Sequence, residues 1–265
     1  MTATEPTRTR ERRQRVQAAE TSMAVLKALG HLGGRAGLSL IATQIDESPA
    51  KVHRYLVSLM EGGLVGQDAT TQQYFLGLET LLLGLAAMRQ ADPIRLAEAS
   101  LIRLREELEV TCFVAVMGNK GPTIVRFEEP GLPVTVNVRV GSVLSMLWSA
   151  TGQVLLATLD ENAVRALAQT ELEAATPEQR ALLDARDPIG ALQQSVLAAG
   201  CAVVRDTNLR GISAVSAPIY NYADRPCAVL TALGATGGFD PSPDGRVAQA
   251  VRREAQAISR LLGKT

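Results

Sequence analysis

Apolar residues recur along the first quarter of the chain at helical spacing, then at strand spacing. From Val16 to about His31, Val16, Met23, Val25, Leu26 and Leu29 predict a helix that stops in the glycine-rich "GHLGGRAG". Ser39 is an N-cap candidate for the short helix "LIATQID". Asp46 and Glu47 make a turn. Ser48-Pro49 then opens another helix with a capping serine and a proline at its first position. Val52, Tyr55, Leu56, Leu59 and Met60 fall at i, i+3, i+4, i+7 and i+8, which gives one buried face. Lys51, His53, Arg54 and Ser58 occupy the other. "GGLV" ends this helix and begins a strand, "GQDATTQQ" is a hairpin tip, and "YFLG" is the return strand.

"LETLLLGLAAM" continues as a helix over 78–90. Asp92-Pro93 then interrupts it and caps the next, "IRLAEASLIRLREELE". "TCFVAVMG", "GPTIVRFEE" and "PVTVNVRV" read as strands. Helical material runs from Ser149 to Gln169 and again through "PIGALQQSVLAAG". "CAVVRD", "ISAVSAPIY" and "CAVLTALG" are strands, and Ser242 to Leu262 closes the chain as an amphipathic helix. This order predicts an α+β protein whose second part holds a mainly antiparallel sheet. The divisions are a basic tail at 1–14, a head at 15–77, a linker helix at 78–92 and a larger module at 93–265.

A helix, a tight turn, a capped second helix and a strand hairpin form a winged helix-turn-helix. The apolar side of the second helix is committed to packing. Its polar side can reach phosphates and base edges in a major groove. Ser39, Ser48, Ala50, Lys51, His53, Arg54 and Ser58, with Thr70 and Gln72 on the wing, are therefore the candidate contacts to double-stranded operator DNA. The rival reading is a head that binds protein instead of DNA. Net charge is zero, with 27 basic and 27 acidic side chains, so any attraction for DNA must come from local patches. The arginine-rich tail is either a solvated arm or one that touches phosphates.

Enzymatic chemistry finds little support. Both histidines, His31 and His53, precede the larger module, which therefore lacks an imidazole base or ligand. His53 has no partner at i±3 or i±4 for a metal. Cys112, Cys201 and Cys227 lie in apolar strand contexts that suit buried hydrophobes. No metal, no cofactor and no disulfide framework is expected. The longest apolar run near the middle is too short to span a bilayer, so no membrane partner is expected; three scattered cysteines and a polar N-terminus unlike a secretory signal predict a cytoplasmic protein.

Five stretches in order resemble the IclR-type bacterial transcriptional regulators. They are "VQAAETSMAVLKAL", "LSLIATQIDESPAKVHRYLVSLMEGGLV", "YFLGLETLLLG", "VRVGSVLSMLWSATGQVLLA" and "AVVRDTNLRGISAVSAPIY". The resemblance implies a GAF-like C-terminal effector-binding domain. It also implies a small-molecule effector and a homodimer or tetramer that reads a pseudo-palindromic operator of a catabolic operon. Carried over, the pocket would be lined by Leu144, Met146, Trp148, Ser149 and Ala150 on one side. Asp206, Leu209, Ile212, Ala214 and Ser216 would face them. Trp148 is equally at home in a core, and Asp206 in a solvated turn. Such a lining suits a partly apolar carboxylate held by N–H groups at the helix start near Ser149. The chain departs from the family pattern at Asp46, Ala50, Gln153, Thr207 and Ala214.

Overall fold

The computed structural model describes residues 16–131, 138–207 and 210–264. The basic tail and Leu209 lie outside the described residues, as does most of the strand expected over "PVTVNVRV". The chain divides into two compact units between Gln90 and Ala91.

In the first unit, α1 (Gln17–His31), β1 (Arg35–Ala36), α2 (Leu38–Gln44), α3 (Pro49–Glu61), β2 (Val65–Gln67) and β3 (Tyr74–Leu76) precede α4 (Leu78–Gln90). Val25, Leu29, Ile41, Val52, Leu56, Leu59 and Tyr74 are its buried core. Ser39 does not cap α2, contrary to expectation. The helix starts two residues earlier, at Leu38, with Gly37 as N-cap. Ser39 sits exposed in the first turn, and its carbonyl accepts the Thr43 hydroxyl at 2.9 Å. The hairpin also gains a partner, because β1 pairs antiparallel with β3 to give the order β1-β3-β2. Two residues are too few to announce a strand by alternation.

Asp46, in the turn between α2 and α3, adopts φ 54°. A β-branched residue is strained in that left-handed region, whereas glycine is not. Asp46→Val should therefore cost about 1–2 kcal/mol, and Asp46→Gly should be near neutral. Thermal melts of both variants check the difference.

The second unit runs α5 (Pro93–Leu108), β4 (Thr111–Gly118), β5 (Gly121–Glu128), α6 (Ala150–Thr158), α7 (Asn162–Glu173), α8 (Pro177–Arg180), α9 (Pro188–Ala199), β6 (Ala202–Arg205), β7 (Ile212–Tyr220), β8 (Pro226–Ala235) and α10 (Arg246–Leu261). The single helical run expected over Ser149 to Gln169 is two helices, α6 and α7, broken at Leu159–Glu161. The closing helix begins at Arg246, four residues later than expected.

The strands form an antiparallel sheet of order β5-β4-β8-β7-β6. Alternate residues feed two cores. Cys112, Val114, Val215, Ala217, Leu230 and Ala232 pack under α5 and α10. Phe113, Ala115, Ala214, Val229 and Leu233 pack under α6, α7 and α9. Because helices cover both faces, β4 reads as one continuous apolar run, without polar alternation. The Arg103 guanidinium, on α5, grips the Glu254 carboxylate of α10 at 2.7 Å and ties the two helices together.

Candidate nucleic-acid interface and ligand cavity

On α3, Val52, Leu56 and Leu59 are buried, while Ala50, His53, Arg54 and Ser58 are exposed. Ser48 caps the helix by accepting the Lys51 N–H at 3.4 Å, and Pro49 occupies the first turn. The four polar side chains differ in freedom. Lys51 forms an ion pair with Glu47 one turn back. His53 Nδ1 lies 3.1 Å from the Tyr74 hydroxyl and so braces α3 against the wing strand β3. Ser58 donates to the Arg54 carbonyl at 3.5 Å. The Arg54 guanidinium has no ion-pair partner among the described residues.

The wing tip is held by Asp68. One carboxylate oxygen accepts the N–H groups of Thr70 and Thr71, each at 2.9 Å, and the other meets Arg35 at 2.9 Å. Gln72 holds φ 59°, and its side chain donates to the Ala69 carbonyl at 2.8 Å. The Thr71 N–H, the Arg35 guanidinium and the Thr70 N–H lower the Asp68 carboxyl from 3.8 to about 2. A depressed folded-state value means stabilisation that is present above 3.8 and lost as pH falls toward 2. Melting curves of the wild type and Asp68→Asn should therefore converge through that window.

Sequence reasoning missed Arg35. It projects beside the wing from β1, with its guanidinium 5.3 Å from the centre of the Phe75 ring. Its only sequence signal is a single charge within "GGRAG".

In the second unit, Leu144, Ser149, Ala150, Ile212 and Ala214 share the wall of one cavity with Phe113, Val138, Val204 and Leu233. Two hydroxyls not foreseen from the sequence, Thr151 and Thr231, complete it. They stand 2.9 Å apart, and Ser216, just outside the lining, lies 2.7 Å from Thr231. The wall carries no charged side chain. The cavity measures about 30 Å³, room for one or two water molecules.

Three other expected pocket residues are not on this wall. Met146 is buried, and its N–H donates to Glu171 at 2.8 Å. Glu171 also accepts the Leu147 N–H at 2.9 Å and the Ser145 hydroxyl, and this clamp on 145–147 has no signal in the local sequence. Trp148 borders a separate cleft beside β6, with Val203 and Arg205. Asp206, at φ 58°, accepts the Gly211 N–H at 2.7 Å and the Thr236 hydroxyl at 2.9 Å, so its carboxylate closes a turn. At the start of α6, Ser149 accepts the Gly152 N–H at 2.9 Å, which occupies one of the N–H groups expected to hold a ligand.

Nucleophilic chemistry has no obvious centre here. Burial pushes the Cys112 thiol up to about 12, and it also raises Cys201 and Cys227. No group of His, Cys, Asp and Glu suited to a metal occurs among the described residues.

A winged helix-turn-helix head followed by an α/β module with a small cavity free of charged side chains defines the class of two-unit transcriptional regulators. Residues 18–69 match the IclR helix-turn-helix domain, and residues 85–260 match the C-terminal domain described as bacterial transcriptional regulator IclR. The chain belongs to the IclR family and is a DNA-binding transcriptional regulator, in a family that is not enzymatic.

Among its relatives, the transcriptional regulator XynR of Escherichia coli K12 is 22% identical over 249 residues, covering 94% of this chain and 98% of that protein. The Pca regulon regulatory protein of Pseudomonas putida is 27% identical over 210 residues, or 78% of this chain and 70% of that one. The crystal structure of Pseudomonas aeruginosa HmgR superposes with a TM-score of 0.85 at 37% identity, covering 94% and 99% of the two chains.

Proposed function

We propose that this regulator controls a catabolic operon in the cytoplasm and reads a pseudo-palindromic operator as a homodimer or a pair of dimers. The observation that carries the reading is the division of labour on α3. Its apolar face is consumed by the head's own core, while His53, Arg54 and Ser58 remain exposed along the other face of a capped helix. One helix contacts few bases, so useful specificity needs two copies on two half-sites. On α4, Leu78, Leu81, Leu82, Leu83, Leu85 and Met88 are exposed and no residue is buried. That stripe suits a second copy of the same helix. The similarity to the Pca regulon regulatory protein of Pseudomonas putida supports control of an operon.

We assign the effector to the second unit's cavity by the chemistry of its lining. Apolar walls and a trio of hydroxyls match a small, partly apolar carboxylate, whose oxygens would accept from Thr151, Thr231 and the open N–H groups of α6. At about 30 Å³ the cavity must expand to admit it. Differential affinity for the open and closed states then becomes coupling to DNA, typically about 1–3 kcal/mol.

Footprinting on DNA flanking the gene, repeated across salt concentrations, tests the reading. A protected, two-fold related site is expected, with affinity falling steeply as salt rises. Lys51→Ala should flatten the salt slope by about one unit if Lys51 leaves Glu47 for a phosphate. The single tryptophan, Trp148, immediately precedes Ser149 of the cavity wall, and its fluorescence should report ligand. Salt-independent binding without a protected site would refute the DNA reading.

A further inference from the structure

A second, larger cavity lies on the face of the sheet that carries α5 and α10. It measures about 390 Å³, within the range of small-molecule sites. It opens where β6 runs out: β6 pairs with β7 only from Ser213 to Ser216, leaving β7 uncovered over Ala217–Tyr220. A peptide strand is poorly suited to fill the gap. Pro218 offers no N–H, and the Tyr220 N–H is already given to Ser259 at 2.9 Å. The floor is apolar, made of Ala217, Pro218, Ala255 and the Tyr220 ring, and the rim is cationic, made of Arg252, Arg260 and Lys264.

Two of the cations are held in place. Arg252 donates to the Ala199 carbonyl at 2.7 Å. The Lys264 ammonium sits 3.6 Å from the centre of the Tyr220 ring and 3.7 Å from Asp224. Arg260 has no ion-pair partner among the described residues. Asp224 is the one carboxylate that an ion pair brings to these three cations in the described structure. Three positive charges around an aromatic floor form a receptor for an anion with an apolar body.

We infer that this groove is a second ligand site, distinct from the effector cavity, which binds a small organic anion such as an aromatic phosphate ester or carboxylate. The anion bridges Arg260 and Lys264 while its body lies against Tyr220.

The test is isothermal titration of the full-length protein with phenyl phosphate, compared with inorganic phosphate and phenol at matched ionic strength. Phenyl phosphate should bind saturably and more tightly than either fragment. The double variant R260A/K264A, which alters rim side chains outside the core, should weaken it by about tenfold or more. Asp224→Asn, which releases Lys264 from its carboxylate, should strengthen it, a gain that mere damage to the fold would not give. Absence of saturable binding, equal affinity in R260A/K264A, or no gain in Asp224→Asn would overturn the inference.

Discussion

Arg54→Ala should weaken operator binding by roughly ten- to a hundredfold, the range for losing one side chain that pairs with a base edge. Arg54 is the exposed cation of α3 whose charge is not already engaged. Lys51 is paired with Glu47, and His53 is braced on Tyr74. With no ion-pair partner among the described residues, its guanidinium reaches DNA without first breaking a salt bridge there. The same variant should melt within about 0.5 kcal/mol of the wild type, as exposed substitutions usually do. Arg54→Lys should recover only part of the affinity, because an ammonium lacks the fork that grips guanine in two places. Fluorescence anisotropy at one fixed salt concentration checks all three. Equal affinity in Arg54→Ala would mean that α3 does not read the groove through this residue.

Gly152→Ala should destabilise the second unit by about 3 kcal/mol or more, the upper end for overpacking. A methyl group built there would stand 2.1 Å from the Ser145 carbonyl and 2.5 Å from the Met146 Cα. Those atoms are backbone and cannot swing aside. Glu171 fixes the segment by accepting the Met146 and Leu147 N–H groups, while Ser149 fixes the start of α6. Every residue of α6 from Ala150 to Leu156 is buried, so the helix cannot shift outward without opening the core. Differential scanning calorimetry should show a fall of roughly 6–12 °C in the Tm of the unit. Ligand-induced change in Trp148 fluorescence should be lost as well, because Ser149, Ala150 and Thr151 supply part of the cavity wall. Gly237→Ala is the control, since nothing lies within 4 Å of its added methyl.

Much of the head is legible in the sequence. The single apolar stripe of α3, the Ser48-Pro49 start and the Asp46 turn are local signals, each set by neighbours within a few residues. Ser39 was misjudged because a serine near a helix start resembles a cap wherever the true boundary falls, and here Gly37 holds that position. In the second unit the strands were readable from their apolar runs. The break between α6 and α7 was not, since Leu159–Glu161 contains neither glycine nor proline.

The ligand cavity shows the limit more sharply. Leu144, Ser149, Ala150, Ile212 and Ala214 share a wall, but Thr151 and Thr231 are 80 positions apart and become partners only when α6 lies on β8. Asp206 carries the chemistry of a ligand-binding carboxylate and spends it on a turn. Lys51 and Arg54 look equivalent as letters, and an ion pair separates them.

By itself the sequence determined the order of elements, the face of α3 committed to packing and the absence of histidine from the second unit, because periodicity, caps and composition act over short distances along the chain. Tertiary structure alone decided which polar groups remain free, which hydroxyls meet in the cavity and where three cations gather beside Tyr220. The Thr151–Thr231 pair and the seat of Lys264 on Tyr220 depend on contacts between residues far apart in sequence, whereas the Lys51–Glu47 pair that leaves Arg54 free spans a single helical turn.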